Sequence, residues 1–137
     1  MHAVIDTNVL IYDTFEDFEF HTKARKLLDS LDAWYVPTIV LQEYVWFFKY
    51  NGLSVKDARG MLDEYLSDPR FRNLKEDISI VKRALIMLEE EKLSLSRFND
   101  AMILVHAIER RYPLATFDRK LRKLAERNGV KIIPEEM

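Results

Sequence analysis

Short apolar runs of strand length alternate with helical segments along the whole chain, and this alternation limits the fold more than any other feature. The strand candidates are His2 to Asp6, Trp34 to Pro37, Phe71 to Asp77, Pro113 to Phe117 and Val130 to Ile133. Between them, apolar spacing predicts a short helix from Val9 to Asp13 and longer ones over 22–31, 38–50, 55–66, 78–92, 97–111 and 119–127. One face carries Ala24, Leu27, Leu28 and Leu31 in the second of these, and Ala101, Leu104, Val105 and Ile108 in the sixth. The 38–50 segment differs: Ile39, Val40, Leu41, Tyr44, Val45, Trp46, Phe47 and Phe48 make it apolar nearly all round, which predicts a largely buried helix. Strands separated by helices imply right-handed crossovers and a mainly parallel sheet of about five strands covered on both faces, a three-layer α/β/α architecture. With 137 residues, only 3 Gly and 4 Pro and no low-complexity stretch, the chain offers no place for a linker, so residues 1–137 are expected to form a single domain.

Composition removes several classes of chemistry. There is no cysteine, which excludes disulfides, thiolate metal sites and thiol nucleophiles and fits a reducing cytoplasm. No stretch remains free of charge for about 18 residues, so no membrane span is expected. The formal net charge of -2, from 21 Lys+Arg against 23 Asp+Glu, means that a polyanion would have to be met by a local patch. Arg110, Arg111, Arg119, Lys120, Arg122, Lys123 and Arg127 concentrate positive charge in the last third, as a phosphate-binding patch or as a solvated helix face.

Four acids stand out by position. Asp6 and Asp118 each close a strand candidate and open a helix, where the carboxylate also suits an N-cap. Thr116 is placed to share the cap at Asp118. Asp100 falls in the first turn of a helix, which favours a carboxylate on dipole grounds, with Ser96 as the expected cap. Glu43 is the only charge between Asp32 and Lys49, within the most apolar helix, and a buried carboxylate there would need a cation or hydrogen-bonding partners. In parallel sheets ligands bind beyond the carboxyl ends of the strands, where Asp6 and Asp118 lie. Carboxylates gathered in one place repel one another unless a cation neutralises them. With oxygen donors only, that cation would be Mg2+ or Mn2+, the chemistry of phosphodiester hydrolysis.

Four segments taken together resemble the PIN domain, in particular the small single-domain toxins of the VapC type. They are Val4-Ile5-Asp6-Thr7-Asn8-Val9-Leu10, the isolated Glu43 after the second strand, Asn99-Asp100-Ala101-Met102-Ile103 opening a helix, and Ala115-Thr116-Phe117-Asp118-Arg119-Lys120-Leu121. Each motif alone is weak; all four in this order, across nearly the whole chain, are more specific. The resemblance implies a PIN-like fold and an Mg2+- or Mn2+-dependent endoribonuclease. Asp6, Asp100 and Asp118 would be metal ligands, and Glu43 a ligand or water-mediated partner. Thr7, Asn8 and Thr116 would be supporting hydrogen-bonding groups. It further implies an RNA substrate, a homodimer and a cognate antitoxin. A housekeeping RNA-processing nuclease and a non-catalytic RNA-binding protein of the same fold stay open beside the toxin. A phosphoryl-accepting receiver domain fits less well, because Thr7 stands where a second acid would be needed.

Other features receive bland readings. His2, His21 and His106 form no metal-binding pair, and His106 lies well round its helix from Asp100. The aromatic cluster Tyr44, Trp46, Phe47, Phe48 and Tyr50 is read as core packing plus a dimer contact rather than as a surface for stacking bases.

Overall fold

The computed structural model describes residues 1–137. Its strands are β1 (His2–Ile5), β2 (Ala33–Pro37), β3 (Phe71–Leu74), β4 (Leu114–Ala115) and β5 (Ile132–Ile133). They form one sheet in the order β3-β2-β1-β4-β5, and every neighbouring pair is parallel. Seven helices connect them: α1 (Thr7–Thr14), α2 (His21–Asp29), α3 (Thr38–Tyr50), α4 (Val55–Leu66), α5 (Ile78–Glu90), α6 (Phe98–Arg110) and α7 (Arg119–Arg127). The expected three-layer α/β/α architecture is the one observed. No helix is long and apolar enough to cross a membrane.

Strand β1 occupies the centre, with Ala3, Val4 and Ile5 fully buried. After β1 the chain builds outward through β2 and β3, then returns to the other side of β1 for β4 and β5. The direction of building therefore reverses at β1, and the crevice beyond its carboxyl end is where such sheets place ligands.

Several boundaries differ from the expectation for local reasons. Helix α1 begins at Thr7 rather than Val9, because the Asp6 side chain caps it by accepting from the Thr7 amide. Strand β3 stops at Leu74, since Asp77 turns to cap α5 through the Ile80 amide and Glu76 points inward. The expected cap at Ser96 is absent: Ser96 bonds Ser94, and α6 starts from Arg97 with no side-chain cap.

Burial of the two central helices reverses the expectation. In α6 every residue from Ala101 to Ala107 is buried, although its sequence reads as amphipathic. In α3 only Val40, Tyr44 and Phe48 are buried, while Val45, Trp46 and Tyr50 are exposed. Alanines at 101 and 107 let α6 pack closely between the sheet and α5, so its polar His106 is enclosed as well. The remaining face of α3 borders a cleft.

Candidate functional site

A cleft of about 540 Å3 opens at the carboxyl ends of the central strands. All four acids line it: Asp6 after β1, Glu43 from the middle of α3, Asp100 in the first turn of α6 and Asp118 at the start of α7. Thr7 and Asn8 line it too, while Thr116 lies just behind, buried against Asp6. The four acids and their three expected supporting residues are thus at or beside one cavity, although they come from four separate segments.

Their hydrogen bonds explain how the acids are held. Asp6 is 5% exposed; its Oδ1 accepts from the Thr7 amide at 2.7 Å, and its Oδ2 accepts from Thr116 Oγ1 at 2.7 Å and Asn8 Nδ2 at 3.2 Å. Asn8 Oδ1 accepts from the Phe117 amide at 3.1 Å, tying the start of α1 to the end of β4. Asp118 caps α7 by accepting from the Leu121 amide at 3.0 Å, and its own amide donates to Thr116 Oγ1 at 3.0 Å. Thr116 therefore serves both aspartates. Glu43 is only half-buried: it accepts from Thr7 Oγ1 and, at 3.2 Å, from Asn99 Nδ2. The expected isolation of its charge inside a buried helix is not found, since it faces the cleft and has two polar partners.

The carboxylates are near enough to influence one another's charge. Burial first, and then the Asp100 and Glu43 carboxylates, push the Asp6 carboxyl up to about 7, against the hydrogen bonds from Thr116 and Thr7. Asp100 is also raised, by burial and by Asp118, against its contact with Arg97. Arg97 Nε donates to Asp100 Oδ2 at 2.9 Å, while its Nη2 is buried without a hydrogen-bond partner.

Burial and the neighbouring carboxylates both penalise the charge on Asp6, and a cation held among these acids would offset both. No three acidic or imidazole side chains converge closely enough to form a ready-made metal cage. The open, all-oxygen arrangement nevertheless suits Mg2+ or Mn2+, which keep several waters and take few carboxylates directly. It does not suit a closed structural zinc site.

Sequence reasoning missed several groups. Arg97 lies three residues before Asp100, a helix-face spacing that could have revealed it. Asn99 stood in the quoted motif without a role. Glu76 had no local signal: its Oε1 accepts from the Ile39 amide at the start of α3, and its Oε2 accepts from His106 Nε2 in α6, each at 2.8 Å. It thereby joins the two helices that carry Glu43 and Asp100, and it accounts for the buried His106 away from the cleft. Glu76→Ala leaves the Ile39 amide and His106 without their partner and is expected to destabilise by about 2–4 kcal/mol in urea denaturation. A loss below about 0.5 kcal/mol would remove this role, being within the range of an ordinary surface change.

The basic patch is smaller than expected. Arg122 points inward and is 7% exposed, and Arg127 is engaged by Glu91 at 3.0 Å. Arg119, Lys120 and Lys123 remain exposed on α7.

Comparison with known proteins adds a family match: a model of the PIN domain fits residues 3–127. Curated proteins return no match. Among solved structures, VapC20 of Mycobacterium tuberculosis, described as a Sarcin-Ricin loop cleaving toxin, superposes with a TM-score of 0.73 at 17% identity, covering 88% of this chain and 93% of that one. VapBC2 from Rickettsia felis, bound to a DNA fragment from its promoter, gives 0.68 at 20% identity over 96% and 97% of the two chains. A toxin–antitoxin complex from Klebsiella pneumoniae gives 0.63 at 23% identity over 88% and 89%. At these identities the likeness concerns the fold.

Proposed function

The chain belongs to the PIN domain family, whose members are generally nucleases, and on that premise we propose that it is a metal-dependent endoribonuclease acting as the toxin of a toxin–antitoxin pair. The observation that carries the proposal is the convergence of Asp6, Glu43, Asp100 and Asp118 on one cleft at the carboxyl ends of the central strands.

In this reading Asp6, Asp100 and Asp118 are the direct metal ligands and Glu43 completes the pocket. When bound, Mg2+ or Mn2+ would supply activation of a water and neutralisation of charge on the phosphate. The chain's own groups do the positioning. Thr116 and Asn8 fix the orientation of Asp6, Thr7 and Asn99 fix Glu43, and helix α7 holds Asp118 through its first turn. Asp100 starts paired with Arg97, so engaging a cation requires it to exchange that partner. Exposed Arg119, Lys120 and Lys123 offer positive charge for the RNA backbone beside Asp118.

The toxin assignment draws support from the structural neighbours, which are described as toxins or toxin–antitoxin complexes, and RNA as substrate from the description of VapC20. An antitoxin is accordingly the proposed protein partner, and a homodimer the proposed assembly. The reading is tested by incubating the purified protein with single-stranded and structured RNA in Mg2+, in Mn2+ and in chelator. Cleavage in either metal and none in chelator is expected; cleavage that persists in chelator would overturn it.

A further inference from the structure

We propose that Trp46 and Tyr50 form a base-stacking subsite of the cleft, where an unpaired RNA base lies on the exposed aromatic surface and Lys49 meets the adjoining phosphate. The inference rests on the ribonuclease reading and adds to it a determinant for single-stranded substrate. Both rings line the same cleft as the four acids. They stack on each other with centroids 5.8 Å apart and planes at 29°. The Lys49 ammonium stands 4.0 Å from the centre of Trp46 and 6.0 Å from that of Tyr50.

Core packing does not account for these rings. Phe47 and Phe48 supply the inward contacts of this part of α3, meeting Phe15 at 5.3 and 5.4 Å. Trp46 and Tyr50 stay 39% and 77% exposed. Positions 43, 46, 47 and 50 share one helical face, so the acid and the aromatic pair belong to a single stripe. At 1.5 Å of rise per residue, Trp46 lies about 4.5 Å and Tyr50 about 10.5 Å along the axis from Glu43. A base resting there would belong to a nucleotide next to the phosphate held among the acids.

A protein partner is the other occupant that exposed aromatics admit, but the surroundings favour a nucleotide. The cores of protein interfaces are depleted in lysine, whereas here an ammonium sits on the ring and exposed Gln42 and Asn51 flank the pair. Stacked aromatics beside a cation are the usual platform for single-stranded nucleic acid. Because every base has a stackable face, such a platform selects unpaired strands rather than a sequence.

Only two tryptophans are present, and Trp34 is buried with its indole N–H donating to the Leu28 carbonyl. Fluorescence quenching by a single-stranded hexaribonucleotide, in Ca2+ and separately in chelator, therefore reports on Trp46. Quenching is expected with the intact strand, none with an abasic strand of the same length, and none in Trp46→Phe. Followed by the anisotropy of a dye-labelled strand, Trp46→Ala should weaken binding by about 10-fold or more while Trp46→Phe largely restores it. Equal quenching by the abasic strand, or unchanged affinity in Trp46→Ala, overturns the inference. So does a Trp46→Ala variant that loses self-association yet binds RNA as tightly as the parent. Cleavage without base-dependent quenching would leave the ribonuclease reading intact and sink this one, whereas base-dependent quenching without any cleavage would do the reverse.

Discussion

The substitution Asp6→Asn is expected to lower RNA cleavage by about 10³-fold, the equivalent of several kcal/mol of lost charge stabilisation, and yet to make the metal-free protein more stable at pH 8. The two effects share one cause. In the folded chain the Asp6 carboxyl is pushed from 3.8 up to about 7. Between those values the folded protein keeps a proton that the unfolded chain releases, so stability declines as pH rises from about 4 to about 7. Above that range the metal-free protein carries the whole cost of the buried charge, on the order of 4 kcal/mol. The asparagine would still cap α1 through its side-chain oxygen, and Thr116 can accept from the new amide, so of the local bonds only the 3.2 Å one from Asn8 Nδ2 is lost with the charge. Thermal melts in chelator at pH 5 and pH 8 should show wild type losing stability at the higher pH and Asp6→Asn losing much less. Adding Mg2+ at pH 8 should stabilise wild type and leave the variant nearly unchanged. A variant that is less stable than wild type at both pH values would contradict this account.

Removing the Arg122 guanidinium should be the most damaging change on the basic helix, costing about 3 kcal/mol or more. Its Nη1 donates to the Thr116 carbonyl at 2.9 Å, and its Nη2 donates to the carbonyls of Pro134 and Glu135 at 2.6 and 3.0 Å. None of these partners is a carboxylate, and burial pulls its pKa below the ordinary arginine value. The group is therefore a structural staple joining α7, the end of β4 and the C-terminal segment. Arg122→Ala is expected to lower the urea midpoint sharply, with Arg122→Lys recovering only part because an ammonium cannot reproduce the fork. Arg119→Ala and Lys120→Ala, on the exposed side of the same helix, should leave stability within about 0.5 kcal/mol. Equal stability for Arg122→Ala and Arg119→Ala would refute the distinction.

What could be read from sequence depended on the range of the interaction. Alternation of strand-length and helix-length runs reports a parallel sheet, because a two-residue and a 3.6-residue period are both local properties. The positions of Asp6 and Asp118 were legible for the same reason, and their capping and cleft roles proved compatible: the helix that each caps is what aims its carboxylate. Burial of whole helices was not legible. Periodicity shows which face is apolar, but the enclosure of α6 and the half-exposure of α3 depend on which neighbours cover them. Glu43 was singled out on an argument the structure changes, since it lies half-buried at the edge of a cleft rather than stranded in the core. Glu76 was invisible because its partners lie 37 and 30 residues away. Arg122 was misassigned because a run of basic residues does not reveal which member turns inward.

The reversal of building direction at β1 also governs when the site can exist. Asp6 precedes Thr116, which orients it, and Asp118, which lines the same cleft, by more than a hundred residues. The strand before them, β4, must dock beside β1 before the cleft closes. Until that docking, β1, β2 and their helices carry Asp6 and Glu43 without the far wall of the cleft. In an assembly of that order the acidic cleft is complete only once β4 and the turn from Thr116 to Asp118 have docked beside β1.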